Sequence, residues 1–262
     1  MKANSAPVSV PPLLRPDWPA LPGLFAGMSQ RAGGVSMGPW ASLNLGGAVG
    51  DDPAAVAENR ARFTAALGAR PVWLRQVHGE QVVRLRPDAV ASPLPPADAA
   101  WTSDPGLACA VLVADCLPVL LALRDGSAVA AAHAGWRGLA AGVLEATVQA
   151  LCAGTGAGAG DIVAWLGPCI GPRQFEVGAD VLQAFSGPGN PAAAACFNFR
   201  PRLDGSPRWL ADLPRLARER LAAAGVSAVS EAGRCTVEDA SRYFSFRRDG
   251  VTGRHGAAIW RR

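Results

Sequence analysis

The spacing of apolar positions divides the chain into helix-like and strand-like stretches. In residues 51–68, DDPAAVAENRARFTAALG, the apolar Val56, Phe63 and Leu67 fall on one stripe of a 3.6-residue period. Asp51 or Asp52 caps this stretch, Pro53 suits its first turn and Gly68 follows its last, so it predicts a helix. Arg60 lies inside the same stripe. It either snorkels past the edge of the core or holds a buried anion. Residues 212–225, DLPRLARERLAAAG, predict another helix, with Asp212 as cap, Leu213, Leu216 and Leu221 as the stripe and Gly225 as the stop. FEVGADVLQAF reads as a short helix.

Four runs, PVWLRQV, LACAVLVA, CLPVLLAL and SAVAAAHA, are apolar with little polar alternation and are bounded by turn residues or charges. That pattern suits strands covered on both faces, in a sheet packed between other layers. WRGLAAGVLEATVQALCA is expected to be the helix that follows, and IVAWLG a further strand. Between them GTGAGAGD is glycine-rich but comes after a helix and before a strand. A phosphate loop needs the reverse order, so this stretch is a linker. Residues 1–22 form a proline-rich, loosely ordered start, and 23–262 are read as one catalytic domain. No internal repeat is visible.

Composition narrows the class. With 262 residues, 50% of them apolar, the chain can bury a sizeable core without staples. Its net charge of +4 comes without like-charge blocks or basic–aromatic interleaving until the C-terminal end, which argues against a nucleic-acid partner. The start lacks the apolar run of a signal peptide, so a soluble cytoplasmic protein with no membrane partner is expected. Cys109, Cys116, Cys152, Cys169, Cys196 and Cys235 contain no CxxC pair and read as reduced thiols.

Only three histidines occur, His78, His133 and His255, and the first two each close an apolar run. If His78, Cys116 and His133 converge, two imidazoles and a thiolate make a set that zinc prefers, with a fourth position open as in catalytic sites. The spacing by itself matches no compact zinc motif, and buried cysteines commonly serve packing. His78-Gly79-Glu80 fits half of a zinc-deaminase signature, but Pro168-Cys169 is followed by Ile-Gly-Pro instead of completing P-C-x-x-C. Glu80 is therefore assigned no role.

Seven segments together resemble one family: RAGGVSMGPWASLNLG, GDDPAAVAENR, RQVHG, VADCLPVLL, AAHAGWRGL, GPCIGPRQFEVG and CTVEDASRYFSFRRDGVTGR. It is known variously as the polyphenol oxidase or laccase-domain family, purine nucleoside phosphorylases and peptidoglycan editing factors. The resemblance implies an α+β fold, a mixed β-sandwich flanked by helices in four α/β/β/α layers. It implies one zinc on His78, Cys116 and His133. It also implies phosphorolysis of adenosine, inosine and 5'-methylthioadenosine to free base and ribose 1-phosphate, with adenosine deamination as a second activity.

A phosphate beside the sugar calls for arginines. Arg60 is the first choice, and Asn44, Arg247, Arg248 and Arg254 are further candidates, the C-terminal arginines being equally suited to ion pairs with Asp239 or Asp249. Trp136 and Arg137 open a helix whose amides would face an anion, or simply pack its start. Cys169 reads as a small apolar filler, and Cys235 and Ser245 receive no role. The name "laccase" implies copper, yet a multicopper oxidase uses on the order of ten histidines. Three cannot supply them, and copper stays only as an alternative metal. Two other readings stand beside phosphorolysis: hydrolytic removal of serine from a UDP-N-acetylmuramate precursor, and a non-catalytic, zinc-stabilised binding protein. The sequence leaves the oligomeric state open.

Overall fold

A computed structural model of the protein describes residues 11–18, 21, 23–88, 95–186 and 191–262. Among these, one sheet runs β1 (Leu13–Leu14), β2 (Leu24–Ser29), β14 (His255–Arg261), β6 (Leu107–Val113) and β3 (Arg70–Trp73). A second runs β13 (Ala228–Glu231), β9 (Ile162–Leu166), β7 (Leu117–Leu123), β8 (Val129–Ala134), β5 (Ala99–Thr102) and β4 (Val82–Arg84). Both are mixed: β3–β6, β4–β5 and β13–β9 pair in parallel, the remaining pairs antiparallel. A small antiparallel sheet joins β10 (Glu176–Val177), β12 (Trp209–Ala211) and β11 (Phe197–Phe199).

The doubly apolar strands explain how the two large sheets stack. Side chains alternate across a strand, and in β6 Cys109, Val111 and Val113 face the second sheet's Leu120, Ala131 and Trp165. The intervening Ala108 and Ala110 pack outward against Leu43, Phe63 and Leu67. In β7, Val119 and Leu121 turn outward, where Leu144, Val148 and Leu151 of α3 (Val143–Thr155) and Leu213, Leu216 and Leu221 of α6 (Leu213–Ala223) cover them. Helix, sheet, sheet and helix follow in that order, the four layers implied by the resemblance. Close layer contact needs small residues: a Cβ on Gly154 of α3 would lie 2.0 Å from the Trp101 ring.

The helix α1 spans Pro53–Leu67, capped by Asp52, whose carboxylate accepts from Ala54 N–H, and closed by Gly68 at φ 67°. Three sequence expectations need correction. The single helix expected from Trp136 onward is two, α2 (Trp136–Ala141) and α3, because Gly142 at φ 107° takes a left-handed turn between them. FEVGADVLQAF contains the strand β10 before its helix α4 (Ala179–Phe185). Most of the segment 1–22 lies outside the described residues, but Leu13–Leu14 is ordered by pairing with Met28 and Ser29. The short helices α5 (Pro191–Ala194) and α7 (Phe246–Asp249) complete the chain. Among the described residues no helix is long and apolar enough to cross a membrane.

Candidate metal centre and its cavity

His133 lies in β8, Cys116 immediately precedes β7, and His78 lies in the loop after β3. In the register of β7 and β8, Leu117 faces Ala134, so Cys116 and His133 emerge at the same end of the sheet. The donor atoms of all three side chains fall within 4.8 Å of one another. Cys116 Sγ is 4.0 Å from His78 Nε2, and the two imidazoles meet edge to face with centroids 4.8 Å apart. A tetrahedral zinc keeps such donors about 3.5 Å apart, so a small contraction would close the group on an ion. His133 is buried, Cys116 half-buried and His78 exposed, which leaves one side of the group open. Gly135 keeps the space clear: a Cβ there would stand 3.1 Å from both Cys116 Sγ and the His78 ring.

A buried carboxylate that the sequence analysis missed organises the group. Asp98, fully buried, accepts a hydrogen bond from His133 Nδ1 at 2.8 Å. That bond leaves Nε2 of His133 free to ligate, the arrangement metal-binding histidines commonly show. Asp98 also accepts from the backbone N–H groups of Val77 (3.0 Å), His78 (2.9 Å) and Gly79 (2.8 Å). His78 has φ 60°, a conformation costing on the order of 1–3 kcal/mol outside glycine. Three bonds to one carboxylate offset it and fix the loop. The donor set, its spacing and this support all fit a single transition-metal ion.

Charge in the metal-free group is arranged to match. Burial would raise the Cys116 thiol, but the neighbouring His133 and His78 imidazoles outweigh it and bring its pKa down to about 6. Burial would equally lower His133, but the Cys116 thiolate and Asp98 outweigh it and bring its pKa up to about 9. Asp98 is buried yet held below the usual carboxylate range by His133 and by the backbone N–H groups.

The group opens onto a cavity of about 690 Å3 lined also by Gly46, Gly47, Arg60, Gln76, Phe246 and Arg254. Arg60 neither snorkels free nor closes an ion pair. Its Nε donates to Leu45 O at 2.9 Å and its guanidinium lies 4.9 Å from the Trp73 ring centroid. Arg254 donates Nη1 to the carbonyls of Thr252 and Gly253, 3.0 Å each. Burial lowers the pKa of both guanidiniums. Among the described residues neither has a carboxylate within ion-pair distance. Two partly desolvated cations therefore face one cavity with no carboxylate paired to either.

The other sequence candidates sit elsewhere. Asn44 is fully buried, donating to Gly46 O and Asp51 and accepting from Gly46 N–H and Arg254 N–H, so it shapes the turn beneath the arginines. Arg247 points away to the carbonyls of Gln174 and Glu176, and Arg248 pairs with Asp249 and binds the carbonyls of Thr236, Val237 and Tyr243. Glu80, Trp136 and Arg137 do not line the cavity. Trp136 packs on the core and Arg137 stacks on its ring. Cys169 is buried and Cys235 Sγ accepts from Gly171 N–H at 3.2 Å, which makes both parts of the loop packing.

Ser245 gains a role: it caps α7 and donates to Asp115, which also accepts from Thr236 Oγ1 and Arg247 N–H. Asp115, at φ 85° and next to Cys116, thus ties the C-terminal segment to the ligand loop. Its place directly before the cysteine was the only signal available in the sequence.

A family model described as "Multi-copper polyphenol oxidoreductase laccase" matches residues 25–262. The chain is 51% identical over 247 residues to a purine nucleoside phosphorylase of Pseudomonas aeruginosa, covering 94% of this chain and 97% of that one. It is 48% identical over 250 residues to a purine nucleoside phosphorylase of Escherichia coli, covering 95% and 98%. Among solved structures, a Neisseria meningitidis protein superposes with TM-score 0.87 at 44% identity, covering 95% of this chain and 98% of that one. YlmD from Geobacillus stearothermophilus superposes with TM-score 0.85 at 34% identity, covering 95% and 96%.

Proposed function

The chain belongs to the family described as multi-copper polyphenol oxidoreductase laccase, and from that premise we propose that it is a zinc-dependent purine nucleoside phosphorylase. One observation carries the reading: Arg60 and Arg254, partly desolvated and without carboxylate partners, share a cavity with His78, Cys116 and His133. An inorganic phosphate fills that electrostatic gap, and the curated relatives carry the name of the reaction. The copper chemistry in the family description does not suit this chain. His255 is fully buried with Nε2 accepting from Phe244 N–H, so only two of the three histidines remain for metal.

In this reading Arg60 and Arg254 bind phosphate, holding its oxygens toward C1' of the nucleoside. Arg60 spends Nε on Leu45 O, leaving its two terminal nitrogens for a forked contact. Attack by a phosphate oxygen forms the new C1'–O bond as C1'–N9 breaks and its electron pair leaves with the purine. The guanidiniums neutralise the nucleophile's self-repulsion and hold it in line. His78, Cys116 and His133 hold the zinc, with Asp98 fixing the ring of His133. Zinc, when bound there, supplies a Lewis acid able to activate water, the chemistry that adenosine deamination as a second activity requires.

The test is incubation of the zinc-loaded protein with inosine, with and without phosphate, following hypoxanthine. Phosphate-dependent release is expected. Arg60→Ala is expected to raise the KM for phosphate roughly tenfold or more, with the KM for inosine little changed. Release independent of phosphate, or serine release from UDP-N-acetylmuramoyl-serine without any hypoxanthine, would overturn the reading.

A further inference from the structure

Phe246 is a large aromatic side chain left 57% exposed in the wall of the same cavity. Single exposed apolar residues are ordinary, but this one is held in place as a stray surface ring is not. Its ring lies 5.7 Å from the guanidinium of Arg254. On one side of it Ser245 Oγ donates to Asp115 at 3.0 Å, and on the other Arg247 N–H donates to the same carboxylate at 2.6 Å. The Arg247 guanidinium is anchored in turn to Glu176 O at 3.0 Å. The backbone on both sides of Phe246 is thereby clamped to the residue that precedes Cys116.

The polar lining makes a complementary point. Gln76 carries a side-chain amide able to read the edge of a base, yet its Nε2 donates to Leu112 O at 2.9 Å and its Oε1 accepts from Leu112 N–H at 2.8 Å. It is committed to the main chain on both sides. Leu74, Leu112 and Val113 add apolar surface. A flat ligand here finds an exposed aromatic ring on an anchored segment and few free edge partners.

The geometry points to Phe246 as the platform on which the purine base of the nucleoside stacks. The identity of the base rests on the phosphorolysis reading; the platform itself rests on the exposure of the ring and the clamping of the residues on either side of it. Stacking on Phe246 covers exposed aromatic surface and sets the base in the same cavity as Arg60 and Arg254.

The experiment compares the wild-type protein with Phe246→Ala, Phe246→Leu and Phe246→Trp. Phe246→Ala is expected to raise the KM for inosine roughly tenfold, the scale of base–aromatic stacking, and by more than it raises the KM for phosphate, while Phe246→Trp, which keeps a π face, raises the inosine KM far less than Phe246→Ala. Adenosine titrated into the wild-type protein is expected to show upfield ring-current shifts of its H2 and H8 proton resonances. Those shifts should vanish in Phe246→Leu, which retains apolar bulk without a π face and guards against a folding defect in the alanine variant. If the wild-type protein turns over no nucleoside, the functional reading fails while the ring-current shifts still decide the platform. Unchanged shifts in Phe246→Leu, or no shift in the wild-type protein, would overturn the platform.

Discussion

Asp98 Oδ1 lies 2.8 Å from His133 Nδ1 with both side chains buried, and the same carboxylate gathers three consecutive backbone N–H groups of the His78 loop. One residue therefore orients one candidate ligand and shapes the loop that carries another. Asp98→Asn replaces one accepting oxygen by a donor facing the same N–H groups. Metal affinity is expected to fall about 10- to 100-fold, read by competition with a chromophoric chelator. Unchanged affinity would remove Asp98 from the centre.

The metal-free centre holds a thiolate and an imidazolium between about pH 6 and 9, the values reached by Cys116 and His133. His133, raised above its ordinary value, must lose its proton to ligate. Cys116, depressed, has already lost its own above about pH 6. Zinc binding at pH 7.5 is therefore expected to release about one proton. Apparent affinity should climb with pH from 6 to 9 and fall more steeply below 6, where Cys116 protonates as well. Calorimetry in buffers of different ionisation enthalpy counts the proton, and zero protons at pH 7.5 would contradict the ion-paired ground state.

Gly138 packs α2 against the turn that follows His78. A Cβ on it would lie 2.7 Å from Gly79 O, a main-chain atom unable to swing aside. Alanine in a helix ordinarily gains about 0.5–1 kcal/mol over glycine. Here the clash wins, and Gly138→Ala is expected to cost on the order of 1–3 kcal/mol in urea unfolding and to weaken metal binding together with it. A more stable variant would show that the turn yields freely.

The sequence was most legible where the signal is local. The caps of α1 and α6, the stripes of Phe63 and Leu216, and the doubly apolar strands are each written within a few neighbours; the strands foretell a sheet packed between other layers, while the four-layer order came from the family resemblance. His78, Cys116 and His133 were visible because histidine is scarce here and each ends an apolar run. Asp98 was not, since nothing near it announces that β5 will pair with β8 and set it opposite His133. Phe246 and Asp115 escaped for the same reason: their meaning lies in contacts across more than a hundred residues, between Asp115 and the Ser245 and Arg247 that flank Phe246. Arg247 and Arg248 looked alike with Arg254 in sequence; all three bind main-chain carbonyls, and only Arg254 does so from the wall of the cavity.

The central place of β14 in the first sheet sets an order on the birth of the molecule. Residues 255–261 leave the ribosome after the other strands described above, yet they fill the gap between β2 and β6. Until they arrive, β2 has no neighbour on that side and β6 exposes a row of unpaired amides to any passing chain. Closure of the first sheet between β2 and β6 therefore depends on the synthesis of residues 255–261, and an edge left open until then is a surface for a chaperone to cover.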